Sequence, residues 1–527
     1  LTSSCNRPSR LLPNSAAIAR GRCNKSIAAG LDTVRGWMQD QRSILHPSTR
    51  EPSMNEPHTA QVTPAIRDTD VLIVGGGLSG ALLAMQLLRL PGARRITVVE
   101  PRPELGRGEA YSATELGHTL NGNAARMSVD PDDADDLTRW LQAHIAAGGW
   151  PESASQQVPV AELFPPRGLF GRYARQRLAE AQVIGEANGS SLIHVRDETV
   201  DLHTLEHGVR VTLKSGEVLL AGAAVLATGM FPAARTAQRQ SSGLNAAALD
   251  PWNVEAMRAL PVDARVLIIG SGLTMVDALE SLNQAGHRGP IEVFSRHGLL
   301  PHVRRQPPVW EDFLSLAPGV RSPLQLLREL RRQCALAQAR GIDWQAPLDT
   351  VRVHIARLWS QASDAQRRQF VRHVRPWWES HHHRSPPQGD ALLQRLIEEG
   401  RLTIHAASLQ GVDSSQLRIR LRYRGQTEAV WVQGDGLINS TGIEYDWRRV
   451  DKALPRQLLQ RGLVVPGNLG LGIAADADGA VLNARLQPAQ RLFAMGPPLR
   501  GMWWESTAVT DVALQAKALA QRLQSAV

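Results

Sequence analysis

Cysteine, lysine and long apolar runs are all scarce in this sequence of 527 residues. The three cysteines, Cys5, Cys23 and Cys334, form neither a CxxC pair nor a metal-ligand spacing. That absence argues against a zinc site and against a disulfide reductase that works through a cysteine pair. No stretch of about 18 uninterrupted apolar residues is present, which a membrane-spanning helix would need. We therefore expect no metal, no membrane span, and a reducing, cytoplasmic location.

Lysine is so rare that nearly all of the basic residues are arginine. Only Lys25, Lys214, Lys452 and Lys517 are lysine among 59 basic side chains, and the formal net charge is +9. Clustered positive charge is typical of proteins that bind nucleic acid phosphates. The arginine excess resembles a codon-usage bias, however, and part of it lies in residues 1–50. We interpret it as a solvated basic surface and expect no nucleic acid partner, with RNA binding as the alternative.

The length predicts two or three globular domains rather than one. Residues 1–66 are rich in Ser, Asn, Pro and Arg and lack sustained periodicity. We predict that they form a disordered N-terminal extension. Because the sequence begins with Leu1, we interpret this part as the product of an upstream or non-standard start, with Met54 as the candidate beginning.

A first nucleotide-binding unit opens the ordered part of the chain. An apolar strand at residues 71–74 runs into the turn GGGLSG, a helical pattern extends to Leu90, and a second strand ends in an acid. In such a unit the glycines permit a tight turn, approach of a pyrophosphate and close packing of helix on strand. The helix N-terminus favours phosphate, and the acid can bind a ribose. The predicted contacts are Gly75, Gly77, Leu78, Ser79, Gly80 and Glu100.

A second unit of the same plan occupies residues 265–296. Its turn reads GSGLTM, so Met275 replaces the third glycine, and we expect helix and sheet to lie slightly farther apart there. The second strand of this unit leads to Arg296 instead of an acid, and an arginine in that place can pair with a 2′-phosphate. This favours NADPH over NADH, unless Arg296 is an ordinary surface residue. The predicted contacts are Gly270, Gly272, Leu273 and Arg296.

The segments that follow the two units repeat one another. Ile193 opens a run of alternating strands that closes on Ala-Thr-Gly, and Ile404 opens a similar run that closes on Ser-Thr-Gly. Two copies of one supersecondary plan are therefore present. In the first copy, Thr228 and Gly229 at the closing turn are predicted to contact the nucleotide.

This order of units resembles the two-dinucleotide-domain flavoproteins, and more distantly the N-hydroxylating flavin monooxygenases. The motifs that carry the resemblance are GRGEAY at 106–111, HTLN at 118–121, FGRY at 170–173, RPWW at 375–378 and WEST at 504–507. The resemblance implies an α/β fold with two Rossmann-like domains, in which the FAD domain is interrupted by the NAD(P) domain, and a helical insertion. It also implies FAD and NADPH (or NADH) as cofactors and a small-molecule substrate.

The resemblance also implies domain boundaries and a return of the chain to the flavin. The FAD-binding domain would comprise residues 67–235 and 443–527, the NAD(P)-binding domain 236–300 and 400–442, and the helical insertion 301–399. A late strand at 491–496 and a final helix from near Thr507 would end the chain, with the helix dipole directed at the flavin. Gly496, Trp504 and Thr507 are accordingly expected at the cofactor. For Trp503, contact with the flavin ring and packing under the last helix are equally expected.

The candidates for catalysis lie in a histidine cluster and near the last helix. His381, His382 and His383 are adjacent, so they point in different directions and at most one or two could share a metal ion. Surface or packing roles are the simpler interpretation. If the cluster is functional, His381 or His383 would shuttle a proton and Arg384 would hold an anionic group. Glu505, expected beside the flavin, is the fourth candidate.

The leading hypothesis is an FAD-dependent, NAD(P)H-using oxidoreductase, most simply a monooxygenase-like enzyme. A reductase or an oxidase is the alternative within the same class. A catalytically silent nucleotide-binding sensor is the alternative outside it, since Gly222, Met230 and Met275 depart from the pattern of the family. The sequence names neither the substrate nor the oligomeric state.

Overall fold

The strands of the two glycine-rich units belong to two separate sheets in the computed structural model, which describes residues 67–232, 244–316 and 322–526. The extension predicted for residues 1–66 lies outside the described residues. The strands are β1 (Arg67–Val74), β2 (Arg95–Val99), β3 (Ser191–Val195), β4 (Thr199–Leu205), β5 (Gly208–Leu213), β6 (Val218–Leu226), β7 (Phe231–Pro232), β8 (Val266–Ile269), β9 (Ile291–Ser295), β10 (Leu402–Asp413), β11 (Arg418–Tyr423), β12 (Val430–Gln433), β13 (Gly436–Asn439), β14 (Ile443–Glu444), β15 (Ala480–Leu482) and β16 (Pro488–Ala494).

The first sheet has the order β15-β16-β6-β1-β2-β3, and the β4-β5 hairpin attaches to β6. Its centre is parallel, because β1 pairs with both β2 and β6, and β16 pairs with β6. A late segment of the chain therefore completes a sheet that an early segment begins, as predicted. The second sheet has the order β12-β11-β10-β9-β8-β13, with β9 parallel to both β8 and β10.

Helices cover both sheets and fill the segment between β9 and β10. The α-helices are α1 (Leu78–Arg89), α2 (Asp136–Ala146), α3 (Arg167–Ala187), α4 (Leu244–Ala247), α5 (Val254–Arg258), α6 (Leu273–Gln284), α7 (Phe313–Leu316), α8 (Pro323–Ala339), α9 (Gln345–Arg352), α10 (Ile355–Gln361), α11 (Asp364–Gln369), α12 (Arg375–His382), α13 (Pro387–Glu398), α14 (Ala453–Gln460) and α15 (Val509–Ala526). A π-helical segment (Phe370–Val374) joins α11 to α12. Among the described residues, none of the helices combines the length and the apolar character that crossing a bilayer requires.

The core of the first sheet explains why its central unit is so apolar. All four residues of the run Val71 to Val74 are buried. Helices cover one face of β1, and the β4-β5 hairpin together with α14 covers the other face. Strands of parallel sheets that are covered on both faces need such continuous apolar runs. Helix α1 is buried along most of its length between β1, α3 and α15.

One helix of the insertion differs from the prediction. The spacing of apolar residues predicts a single helix from Val351 to Ser360, but the structure divides this stretch into α9 and α10. The break falls at Val353 and His354, where Val353 is largely exposed and His354 Nε2 lies 2.8 Å from Asp312 Oδ1. A tertiary contact thus outweighs the local periodicity, which is short enough to be overridden.

The two sheets are joined by paired connections and by polar contacts. Strands β7 and β14, which belong to the two connecting segments, form a short antiparallel ribbon. In addition, His118 Nε2 lies 2.8 Å from Ser281 Oγ and 3.0 Å from the Asp277 carbonyl oxygen, and Arg167 pairs with Asp277 at 3.4 Å. His118, from the HTLN motif, is thus a buried residue that links the first-sheet part of the chain to helix α6. The predicted domain boundary at 442 directly precedes β14, and the one at 235 lies outside the described residues. Both stay predictions.

Candidate functional site

Hydrogen bonds and close contacts fix the conformation of the first glycine-rich turn. The Gly75 amide donates to the Val99 carbonyl oxygen at 2.9 Å, and Gly75 has a φ of +102°, which favours glycine. A Cβ atom at this position would lie 2.5 Å from the Ala227 carbonyl oxygen. A side chain at Gly80 would collide with the Gly75 carbonyl oxygen. The tight turn and the close helix packing predicted for these two glycines are both present.

The N-terminus of α1 is open toward the turn. Gly77 caps the helix without a side-chain hydrogen bond, and no acidic residue lies in the first turn. Several amides of a first helical turn have no partner within the helix, so Leu78 and Ser79 can present theirs to an anion. A Cβ atom on Gly77 would meet only the Gly108 Cα, at 3.5 Å. The approach to the backbone is therefore clear at this glycine.

Glu100 has a structural partner of its own. It is buried, and its Oε2 accepts the Gly76 amide at 2.9 Å while its Oε1 accepts the Arg102 amide at 3.1 Å. The carboxylate thus ties the end of β2 to the glycine turn. The role that we predict for it at an adenosine ribose stays a prediction.

Two further chain segments end beside the first turn, as the sequence predicts. Thr228 and Gly229 follow β6, and the Thr228 Oγ1 is buried without a hydrogen-bond partner in the described part of the chain. Gly496 follows β16 with a φ of +69°, and a Cβ atom there would lie 2.6 Å from Ser79 Oγ. Thr507, just before α15, accepts a hydrogen bond from Arg500 at 3.4 Å. The unpartnered hydroxyl and the free amides fit a polar ligand such as a dinucleotide.

The second turn has the same construction in the second sheet. The Gly270 amide donates to the Phe294 carbonyl oxygen at 2.9 Å, and Gly270 has a φ of +106° against the Ser440 carbonyl. Gly272 caps α6 without a side-chain hydrogen bond and without an acid in the first turn. Met275, in place of a third glycine, is completely buried. The greater spacing of helix and sheet that we expect there stays a prediction.

A cavity of about 380 Å³ opens beside the second turn. Arg296 reaches it from the end of β9 and is exposed, and no hydrogen bond or ion pair engages its guanidinium among the described residues. Helix α12 of the insertion forms the facing wall through Glu379 and Ser380. The lining residues are Ser271, Gly272, Leu273, Ser295, Arg296, His297, Leu299, Leu300, Pro301, Pro376, Glu379, Ser380 and His383.

The three adjacent histidines are separated into three environments. His381 packs against His302 and Trp344, with ring centroids 4.4 and 5.2 Å apart. His382 stacks on Trp378 and lies 3.5 Å from Glu505 Oε1. His383 lines the cavity and pairs with Glu379 Oε2 at 3.0 Å. Within the described ranges, no group of three His, Cys, Asp or Glu side chains is arranged to hold a metal ion.

Two of the expected residues lie in the interior instead. Arg384 has no exposed surface, and its guanidinium donates to Asp349 Oδ1 at 2.6 Å and to Gln345 Oε1 at 2.8 Å. The prediction that Arg384 holds a substrate anion is therefore wrong, since its donors are already used inside the insertion. Trp504 is only 1% exposed and packs on Trp359 at a centroid distance of 4.7 Å. Its contact with a cofactor stays a prediction, with packing as the observed role.

The carboxylates near the last helix are ionised by their surroundings. Burial opposes the ionisation of Glu505, but His382, His383 and Arg500 lower its pKa to about 2. Burial lowers the pKa of His382 to about 4, despite the nearby carboxylate. Burial likewise opposes ionisation of Glu379, yet His383, Arg500 and Arg375 hold its pKa well below the usual range. At neutral pH these groups form a buried network of carboxylates and arginines.

Comparison with known proteins gives the same arrangement. Residues 72–231 match the family model described as FAD-NAD(P)-binding. The structure is similar over 87% of this chain to an ornithine N-hydroxylase of Kutzneria sp. 744 with reduced FAD, NADP⁺ and L-ornithine (TM-score 0.59, 14% identity, 99% of that chain). An FAD-bound cadaverine monooxygenase of Erwinia amylovora matches over 87% (TM-score 0.59, 12% identity, 95% of that chain). A bacillithiol disulfide reductase of Staphylococcus aureus also matches over 87% (TM-score 0.51, 12% identity, 99% of that chain).

The chain has the fold of the two-dinucleotide-domain flavoproteins. The predicted α/β architecture, with its two Rossmann-like units and its helical insertion, is confirmed. The predicted FAD/NAD(P)-binding class is matched over residues 72–231. The individual cofactor contacts stay predictions.

A set of residues that the sequence motifs do not single out joins the cavity beside the second turn to the C-terminal segment. Glu379 Oε1 lies 3.2 Å from Arg375 Nε and 3.8 Å from an Arg500 terminal nitrogen, while its other oxygen pairs with His383. Arg500 is buried, with its guanidinium 4.2 Å from the Trp504 ring centroid. The spacing of four between Arg375, Glu379 and His383 is a helical ion-pair pattern that could have revealed part of this set.

Proposed function

We propose that this protein is an FAD-dependent, NAD(P)H-using oxidoreductase of the flavin monooxygenase type that acts on a small molecule. The observation that carries the proposal is the pair of glycine turns with open helix N-termini, one on each sheet. Each turn leads into a 12-residue helix that has neither a side-chain cap nor an acid in its first turn. Two such termini fit the pyrophosphates of two dinucleotides.

The first turn fits FAD. Gly75, Gly77, Leu78, Ser79 and Gly80 would hold its pyrophosphate through backbone amides, and Glu100 would hold its ribose. Thr228, Gly229, Gly496 and Thr507 would complete the site from neighbouring strands. The buried Thr228 hydroxyl, which lacks a partner among the described residues, supports this assignment because a buried hydroxyl normally has one.

The second turn fits the nicotinamide nucleotide. Gly270, Gly272 and Leu273 would hold its pyrophosphate, and the exposed Arg296 would pair with a 2′-phosphate, which favours NADPH. His383 reaches the same cavity from the insertion and is held there by Glu379. We propose that these two residues orient the nucleotide from the side opposite to the glycine turn.

The redox chemistry would come from the flavin, which accepts a hydride from a nicotinamide and passes electrons to oxygen or an organic substrate. The chain's own part would be to position and shield. The N-terminus of α15 would favour negative charge at the flavin, and the insertion would exclude water from the cavity. Within the described residues Cys334 is the only cysteine; it is half-buried in α8, and burial raises its thiol pKa. A direct reaction at the flavin is therefore favoured over relay through a cysteine pair.

The similar structures indicate the scale of the substrate. One of them is an ornithine N-hydroxylase and another is a cadaverine monooxygenase. We extend to this chain only that its substrate is a small molecule. We also keep the predictions of no nucleic acid partner and of a cytoplasmic location as proposals.

Anaerobic mixing of the FAD-loaded protein with NADPH or NADH tests this function. We expect the flavin absorbance to bleach, faster with NADPH than with NADH. Air is then admitted, and the flavin absorbance is recorded. Because no substrate is present, either type of enzyme finally releases one hydrogen peroxide per flavin. A transient flavin-hydroperoxide absorbance before the oxidised flavin returns supports a monooxygenase, whereas immediate return of the oxidised flavin indicates an oxidase or a reductase. Failure of the protein to bind FAD, or of the bound flavin to bleach, would overturn the proposal, and the latter result would favour the silent sensor.

A further inference from the structure

Two arginine side chains contact the carboxylate of Asp349, and two more, Arg304 and Arg352, lie close to them where the insertion meets the segment of Asn121 and Arg126. Arg384 donates to Asp349 Oδ1 at 2.6 Å, and an Arg126 terminal nitrogen lies 3.7 Å from Asp349 Oδ2. Arg304 is placed so that Arg384, Arg126, Asp349 and Arg352 all act on its charge. We call these the arginine cluster. Three of the arginines come from separate parts of the chain, so only the tertiary structure brings them together.

The carboxylate of Asp349 is already engaged. Arg384 is completely buried, and its guanidinium is satisfied by Asp349, Gln345 and the His381 carbonyl oxygen. Asp349 therefore neutralises the buried Arg384. Arg126 is about half exposed and also contacts Asp349, and Arg352 pairs with Asp511. A buried charge without a counterion is strongly unfavourable, so Arg304, which has no acidic partner of its own among the described residues, calls for additional negative charge.

Arg304 is the arginine of this cluster with the fewest partners. Its amide donates to the Ser385 carbonyl oxygen and its Nε donates to the Asn121 carbonyl oxygen, both at 2.8 Å. Its two terminal nitrogens have no hydrogen-bond acceptor and no ion-pair partner in the part of the chain that the structure describes. Burial and the neighbouring arginines lower the pKa of Arg304 to about 9. The backbone and Nε bonds thus fix a half-buried guanidinium whose outer edge is free.

Arg352 connects the cluster to the C-terminal segment. One of its terminal nitrogens donates to Asp511 Oδ2 at 3.1 Å, at the start of α15, and the other lies 3.9 Å from Glu505 Oε2. This segment is the one that we expect to face the flavin. A ligand held by the cluster would therefore lie at the border of the proposed reaction site.

We propose that Arg304, with Arg126 and Arg352, binds an oxyanion group, a carboxylate or a phosphate, of the small-molecule substrate. The paired donors of a guanidinium match the two oxygens of such a group, and its fixed fork gives the contact direction as well as charge. The identity of the ligand as substrate rests on the proposed function. The binding site itself does not, since it follows from the unbalanced charge of Arg304.

Binding of simple anions to the FAD-loaded full chain tests the site. Inorganic phosphate and succinate are titrated by calorimetry at constant ionic strength in the presence of saturating NADP⁺, with chloride as the reference anion. We expect one of the two probes to bind the unmodified protein, and the tighter one identifies the group. In Arg304→Gln the affinity should fall about tenfold or more, the loss of a charged hydrogen bond. Arg304→Lys, which keeps the charge without the fork, should recover part of it.

Arg305→Gln is the matched control, because Arg305 is the next residue, is exposed, and pairs with Asp343 instead. It should bind the anion as the unmodified protein does. Equal losses in Arg304→Gln and Arg305→Gln would overturn the site in favour of a general charge effect. Anion binding that appears only without NADP⁺ would also overturn it, by assigning Arg304 to the nucleotide. If anion binding persists while NADPH fails to bleach the flavin, the proposed function fails and the site stands.

Discussion

The two cap glycines allow the nucleotide assignments to be tested without disturbing the fold. Gly77 and Gly272 have φ values of −64° and −89°, which any residue can adopt. An added Cβ atom would meet the Gly108 Cα at 3.5 Å in the first case and nothing within 4 Å in the second. Exchange of either glycine for alanine should therefore change the free energy of unfolding by less than about 1 kcal/mol.

Binding, in contrast, should suffer selectively. The new methyl group would occupy the space through which a phosphate reaches the helix amides. Loss of one charge-assisted hydrogen bond costs about 1.5–3 kcal/mol, which corresponds to roughly a 10- to 150-fold loss of affinity. We expect Gly77→Ala to weaken FAD and Gly272→Ala to weaken NADPH by this factor.

The assay compares both ligands in both variants. FAD binding to the apoprotein is followed by flavin fluorescence, NADP⁺ binding by calorimetry, and thermal unfolding by circular dichroism. Each variant is the control of the other, since they carry the same change at equivalent places. Gly75→Ala serves as the opposite control, because its Cβ atom would lie 2.5 Å from the Ala227 carbonyl oxygen and should lower the melting temperature.

A crossed result would refute the reasoning. If Gly272→Ala weakened FAD while NADP⁺ binding stayed unchanged, the assignment of the two turns would be reversed. If both variants bound both ligands normally, neither turn would be approached by a phosphate. If both variants unfolded, the open space at these glycines would be misjudged.

Three further predictions concern buried polar residues. Arg384→Ala should destabilise the protein by about 3–5 kcal/mol in chemical denaturation, because it removes a completely buried side chain together with its bonds to Asp349, Gln345 and the His381 carbonyl oxygen. Burial lowers the pKa of His382 from its usual 6.5 to about 4, so the unfolded chain takes up this proton first as the pH falls. Stability should therefore decline between these pH values by up to about 3 kcal/mol, and His382→Gln should flatten the decline in urea titrations. His118→Ala, which removes the link to Ser281, should slow flavin reduction by NADPH in stopped-flow mixing while FAD affinity is unchanged.

Much of the fold could be predicted because its signals are local. The predicted strand at 71–74, the glycine turn and the helix after it correspond to β1 and α1, whose residues are neighbours in the sequence. The same holds for the second unit and for the late strand that became β16. The helix predicted from Val351 to Ser360 was wrong, because an insertion helix of few turns is shaped by its tertiary contacts.

The site was only partly predictable. The glycines, Glu100 and Arg296 belong to motifs, and the order of residues in a motif is enough to predict a role for each of them. The histidine cluster does not, since three adjacent side chains carry no signal of which one faces the cavity. Only packing directs His383 to the cavity, His382 to Glu505 and His381 to an aromatic group.

By itself the sequence determined the two glycine-rich strand–turn–helix units, because glycine spacing, apolar strands and helix starts act within a short stretch of chain. The tertiary structure alone decided which distant polar groups come into contact. Arg304 and Asn121 are 183 residues apart and His118 and Ser281 are 163 apart, yet each pair is in hydrogen-bond contact. Such contacts depend on how the sheets and the insertion pack, and hydrophobic packing is non-directional until the whole core is assembled. For that reason Arg384 became an interior residue and Arg304 became the arginine left for a ligand.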